Sequence, residues 1–300
     1  MTEQVLLREE SDESAVQPPD AGPASPTIEL LRRVMTNPSA VAGAALLLLM
    51  VCLAVFAPLL ARYNPNAIDI SSINQEPSGA HWFGTDYLGR DVWARCLYGG
   101  RISLSAGIQV VLIGFAIGTT LGLVAGYVRG VADDIIMRLM DVLFSFPGLL
   151  LAIGVVAILG PGLESAAIAV GIALVPSFAR MARASALSAR EHDYVLAARV
   201  VGARHGDIIF RHMLANVVGP LIVLATLSLG GAILVTAGLS YLGLGTQLPT
   251  SDWGTMLSGG YSHMFEAWSE VAFPGLFIVL TVLGINLLGD GLSDAFNPRL

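Results

Sequence analysis

The chain has 300 residues, 54% of them hydrophobic and only 13% charged, with a mean hydropathy of +0.70 and a formal net charge of −7. Such a mix lies well outside that of water-soluble globular domains, and the apolar residues come in blocks of membrane-spanning length instead of a 3.6-residue stripe. The chain reads as an integral membrane protein whose core is buried in lipid and between helices.

Residues 1–27 carry Glu3, Glu9, Glu10, Asp12, Glu13 and Asp20 together with several prolines, and too few apolar residues to offset the entropy of ordering. They read as a disordered acidic tail on the cytoplasmic side, and no signal peptide is evident ahead of the first apolar block. From about residue 28 the chain is one membrane domain. Runs of roughly 20 apolar residues predict six transmembrane helices near 40–60, 104–127, 136–159, 166–183, 217–239 and 271–288. Each must be helical, because a lipid-exposed segment satisfies its backbone hydrogen bonds only internally, and the alternation of a transmembrane barrel is absent. The class is therefore all-α.

Every one of the 16 basic residues is Arg. With the N-terminus inside, Arg32, Arg33, Arg129, Arg138, Arg299 and all the arginines between 180 and 211 face the cytoplasm, whereas only Arg62, Arg90, Arg95 and Arg101 lie outside. That asymmetry places both termini in the cytoplasm. It also places there a polar island near 186–214, between two long apolar segments, and leaves 62–103 and 244–268 as outer loops.

Within the second span Gly114, Gly118, Gly122 and Gly126 recur every four residues, a row that lets another helix approach closely. Pro147, Pro176, Pro220 and Pro274 lie in or near spans, where they can kink a helix and free carbonyls toward a cavity. Gln109, Thr226, Ser228, Thr236 and Asn286 are the candidate polar lining of a pathway. Asp141 and Asp290 sit near inner helix ends, so no mid-membrane carboxylate marks a proton relay, which argues against an ATP-independent secondary carrier.

Catalytic templates are missing. There is no His-Glu-x-x-His, no Gly-x-Ser-x-Gly and no Cys-x-x-Cys, and the two cysteines, Cys52 and Cys96, form no framework. No metal-ligand spacing appears, nothing points to a nucleic-acid partner, and no catalytic residue is assigned. A P-loop needs a lysine, and this chain has none, so ATP and its Mg would have to be bound by another subunit.

The polar island contains Tyr194-Val-Leu-Ala-Ala-Arg-Val-Val-Gly202. Read as a helix, it sets the small residues Ala198 and Gly202 on one face, with Leu196, Val200 and Val201 adding apolar contact. The pattern fits a docking helix for another subunit, or an amphipathic helix lying on the lipid surface. It resembles the EAA loop of ABC-importer permeases: Ala197 and Ala198, three residues, then Gly202. Leu196 stands where that loop usually has an acidic residue, and Ala215 where it has proline. A second stretch, His81 to Leu104, with Gly84, Asp86, Gly89, Arg90, Asp91, Arg95 and Arg101, resembles the outer loop of the C-type subunit of the dipeptide and oligopeptide permease family. Its glycines permit tight turns, its aspartates can cap helix starts and its arginines can pair with them. Phe146-Pro-Gly-Leu-Leu-Leu-Ala-Ile153, Ser240-Tyr-Leu-Gly-Leu-Gly245 and Gly289 to Arg299 extend the likeness over nearly all of the chain from about Leu30.

The resemblance implies a type I ABC-importer permease fold with six transmembrane helices. Ala197, Ala198, Arg199, Val200, Gly202 and Ala203 would form the coupling helix that seats on an ATP-binding subunit. Gly84, Asp86, Gly89, Arg90, Asp91 and Arg101 would serve the face that receives an extracytoplasmic binding protein. The partners it implies are a homologous B-type permease, two ATP-binding subunits, that binding protein and the bilayer. The cargo would be di- or oligopeptides, with nickel chelates or haem as the alternative in the same architecture.

Overall fold

Every long apolar segment is helical, and among the residues that the computed structural model describes, 32–296, an isolated bridge between Thr85 and Asp91 is the one piece of β pairing. The acidic segment 1–27 and Arg299 lie outside the described residues. Helix α1 (Pro38–Val55) starts under an Asn37 cap that accepts from the Ser39 and Ala40 amides, with Pro38 where its missing N–H costs nothing. It continues after a break at Phe56 as α2 (Ala57–Leu60), which has a proline in its first turn. Next come α3 (Val92–Val128), α4 (Val131–Phe144), α5 (Gly148–Leu159) and α6 (Leu163–Ala189). The chain closes with α7 (Asp193–Val200), α8 (His205–Asp207), a π-helical turn (Ile208–Met213), α9 (Leu214–Tyr241), α10 (Trp253–Tyr261) and α11 (Ser269–Phe296).

Five helices, α1, α3, α6, the 217–241 part of α9, and α11, are long and apolar enough to cross a membrane, and a sixth crossing exists if α4 and α5 are taken together. The predicted third span, 136–159, is thus a correction: it is two helices that meet at 93°. Pro147 is the cause, because it has no N–H to continue α4 and it disfavours helical angles at the residue before it. Alone, α5 has 12 residues and a length of about 18 Å, short of the ~30 Å hydrocarbon core. Its partner α4 is amphipathic, and its acids are tied to α6 by a bidentate Asp133–Arg183 pair (2.5 and 2.7 Å) and an Asp141–Arg180 bond of 2.9 Å. The predicted second span also gains length: α3 runs 37 residues, beginning well inside the expected outer loop.

The bundle is organised around α6, which buries 56% of its apolar window against 22% for α1. Its main partner is α3. A Cβ built on Gly118 would lie 2.5 Å from the Val175 carbonyl, one on Gly114 2.8 Å from Leu174 Cβ, one on Gly126 2.7 Å from Ala186 Cβ, and one on Gly122 on top of the Ala179 carbonyl. The four-residue glycine row is a seam where two backbones meet. A similar contact joins α1 to α11, where a Cβ on Gly43 would stand 2.5 Å from the Leu288 amide nitrogen. Outward, Leu48, Leu112, Leu234 and Val279 are more than half or about half exposed, a surface that lipid or other chains must cover.

Opposite signs are expected for two glycine substitutions. Gly122→Ala should destabilise by about 1–3 kcal/mol through overpacking, whereas Gly154→Ala, with nothing within 4 Å of its Cβ position, should stabilise by about 0.5–1 kcal/mol through helix propensity. Thermal unfolding of the detergent-solubilised variants measures both.

Candidate functional site

The polar connection between α6 and α9 is anchored by apolar residues that turn inward. Val195, Ile208, Ile209 and Met213 are buried in the same core cluster as Leu123 and Ala186, and Ala198 and Ala203 pack against it. Outward, Asp193 and Ala197 are exposed, and Val200 and Val201 are 88% and 86% exposed. The side chain of Arg199 lies outside the described residues.

Gly202 needs a correction. Helix α7 stops at Val200, so Gly202 shares no helical face with Ala198. It has φ of +81°, and the Ala203 amide donates to the Ala198 carbonyl at 3.0 Å, the six-to-one bond of a Schellman cap. Nothing lies within 4 Å of its Cβ position. Backbone conformation, not close approach, demands glycine there. Beneath α7, Ser185, Ser188, His192, Asp193 and Tyr194 line a cavity of about 620 Å³ with Val217 and Pro220 of α9.

On the far side of the bundle, residues 61–91, the start of α3, α10 and the first turn of α11 build a cap. Gly84 and Gly89 take φ of +75° and +73°, and a Cβ on either would run into the carbonyl of Gln75 or Asp69. The Asp69 carboxyl accepts from the hydroxyls of Ser71 and Ser72 and from the Ser71 amide, which hold it below the usual carboxylate range. Asp91 caps α3 by accepting from the Ala94 amide (2.8 Å) and also meets His81 Nδ1 at 2.8 Å. Asp86 caps no helix. It accepts the amides of Leu88 and Arg90 at 2.9 Å and pairs with Arg90 Nε at 2.6 Å and Arg95 Nε at 3.4 Å.

Glu270 completes this cluster from α11; it, Asp86, Arg90 and Arg95 are each at most 4% exposed. Glu270 was not among the sequence-derived site residues, although an acid opening an apolar span was its available signal. Arg101 stays apart: it is exposed and lines a separate cavity of about 230 Å³ with Tyr98 and Ser251. The cap is closed by Trp253, 1% exposed, whose indole donates to the Cys96 carbonyl at 3.0 Å.

Between these ends lie the candidate lining residues. Gln109 on α3 and Asn286 on α11 are exposed on otherwise apolar surfaces, and Thr226 and Ser228 on α9 are half-buried. Thr236 does not belong with them. It is 5% exposed, and its hydroxyl donates to the Ala232 and Ile233 carbonyls of its own helix.

Residues 118–300 match the family model described as a binding-protein-dependent transport system inner membrane component, and residues 25–77 match the N-terminal TM domain of oligopeptide transport permease C. The chain is 47% identical over 282 residues to the glutathione transport system permease protein GsiD of Pectobacterium atrosepticum, with 94% of each chain covered. It is 44% identical over 276 residues to the dipeptide transport system permease protein DppC of Alkalihalophilus pseudofirmus, covering 92% of this chain and 91% of that one. Among solved structures it resembles a chain of the MetNI methionine ABC transporter in an inward-facing conformation, with a TM-score of 0.52 at 20% identity over 67% of this chain and 95% of the other. At that identity the likeness speaks for the type I importer permease fold.

In the cap, Arg95→Met should cost about 3–5 kcal/mol, because it leaves two buried carboxylates facing one guanidinium. Adding Glu270→Gln should return a good part of that loss, since Asp86 and Arg90 remain a balanced pair. Thermal unfolding of the single and double variants reads the difference.

Proposed function

The chain belongs to the family of binding-protein-dependent transport system inner membrane components, and from that premise we propose that it is one of two homologous permease subunits of an ATP-driven peptide importer. It provides half of the pathway through the bacterial plasma membrane, with both termini in the cytoplasm. Its companions are a B-type permease, two ATP-binding subunits that hold ATP and Mg, and an extracytoplasmic binding protein that delivers di- or oligopeptides.

The observation that carries this reading is a short helix, α7, that with the turn after it offers Ala197, Val200 and Val201 to solvent on a chain with no lysine and hence no P-loop of its own. Energy for vectorial movement has to enter through contact with another protein. A small apolar tip, held on the buried Val195 and the partly buried Ala203, suits a groove in that partner. ATP-driven closure of the partner would then bias the bundle between its inward-facing and outward-facing states. Peptide cargo is favoured over metal chelates because the relatives carry dipeptide, D,D-dipeptide and glutathione in their names, and glutathione is itself a tripeptide. The cap formed by residues 61–91 and α10 is the surface for the binding protein.

Affinity purification of the tagged chain in mild detergent should bring down a P-loop ATPase and a second permease; recovery of the chain alone, without ATPase activity, would remove the proposal. Gly202→Leu should introduce about 1–2 kcal/mol of backbone strain and weaken both ATPase recovery and peptide uptake, whereas Gly202→Asn, which tolerates positive φ, should retain most of both.

A further inference from the structure

The polar connection carrying α7 is gripped at both of its ends by one residue of α3. At the entry, Arg190 Nη1 donates to the Tyr127 main-chain carbonyl at 3.1 Å; at the exit, His205 Nδ1 meets the Tyr127 hydroxyl at 2.7 Å. Tyr127 is 5% exposed, and its ring tilts against the imidazole at a centroid distance of 5.6 Å. With Val128, these three side chains line a cavity of about 430 Å³ at the inner end of the bundle.

The helix that presents Tyr127 differs from the three other spans of 25 residues or more. Internal prolines interrupt α6 at Pro176, α9 at Pro220 and α11 at Pro274, while α3 runs without one from Val92 to Val128, a length of about 55 Å. Its opposite end is fixed into the outer cap, where Asp91 caps it, Cys96 accepts from the Trp253 indole and Ser103 accepts from the Trp253 amide. One continuous rod therefore has its outer end in the cap and its inner end in the docking connection.

We infer that Tyr127 is the positioning residue through which displacement of α7 reaches the outer cap, with Arg190 and His205 as its two handles and α3 as the strut. The inference rests on the function proposed above. Docking takes place on the exposed tip, which none of these three residues forms. Losing the grip should therefore leave the ATPase bound while its work goes undelivered.

The test uses the assembled complex in lipid nanodiscs and proteoliposomes. Tyr127→Phe keeps the ring and removes only the hydroxyl; His205→Ala removes the other partner; His205→Asn returns a polar group near the Nδ1 position. Hydrogen exchange in segment 200–213 reads the grip itself, and peptide imported per ATP hydrolysed reads transmission. We expect Tyr127→Phe and His205→Ala each to speed exchange by about fivefold, the weight of one hydrogen bond. The double variant should go no further than either single one. ATPase recovery should stay at the wild-type level while peptide per ATP falls severalfold, and His205→Asn should recover both readouts. Unchanged exchange in Tyr127→Phe, or faster exchange with wild-type peptide per ATP, overturns the inference. Faster exchange in a chain that recruits no ATPase would instead strike down the importer reading, and the transmitting role with it.

Discussion

Contact between the backbones of α3 and α6 is the constraint from which the rest of the molecule is hung. Lipid tails are as apolar as leucine, so helices in a bilayer gain little from burying apolar surface against each other and must rely on close van der Waals fit. Gly114, Gly118, Gly122 and Gly126 supply that fit by placing α3 directly against Val175, Ala179 and Ala186 of α6. With the two helices fused along this line, α3 becomes a fixed reference. Its outer end can hold a cap made largely of loops, and its inner end can hold a polar connection that has no long helix of its own.

The charges follow the same division. Between α4 and α6, Asp141–Arg180 is about half in contact with solvent, where an ion pair is adaptable and individually weak, and Arg183, itself about a third exposed, forms a bidentate pair with the buried Asp133. In the outer cap, Asp86, Arg90, Arg95 and Glu270 are almost wholly buried, so each depends on the others for its charge to be tolerable. One set permits movement between elements. The other welds loop, α3 and α11 into a single piece.

Much of this was legible in the residues. Length of apolar run located the spans, the four-residue glycine spacing named the seam, and Ala197-Ala198-x-x-x-Gly202 named the connection that carries α7. What escaped was geometry that spacing does not encode. Pro147 marked a disturbance, yet only the fold shows it as a corner of 93° between two helices and not a kink in one. Gly202 looked like a small residue on a helical face because its distance from Ala198 is one turn; its actual role is a left-handed backbone angle after the helix has ended. Thr236 looked available as a polar group in a span, but it is 5% exposed, with its hydroxyl turned back on the carbonyls of its own helix. Glu270 enters the cap from α11, some 175 residues distant in sequence from Arg95, beyond the reach of any local pattern.

The π-helical turn at Ile208–Met213 has a consequence for how the two halves of the inner machinery are aligned. A π turn holds one more residue than the α turn it replaces, and each residue of an α-helix carries about 100° of rotation. The extra residue acts as a shim: it sets which side of α9 faces inward while leaving His205 and α7 where they are. Within one family, then, a single-residue insertion or deletion in this turn re-aims the interior surface of α9 without disturbing the exposed residues at the end of α7, so the two surfaces are free to diverge independently.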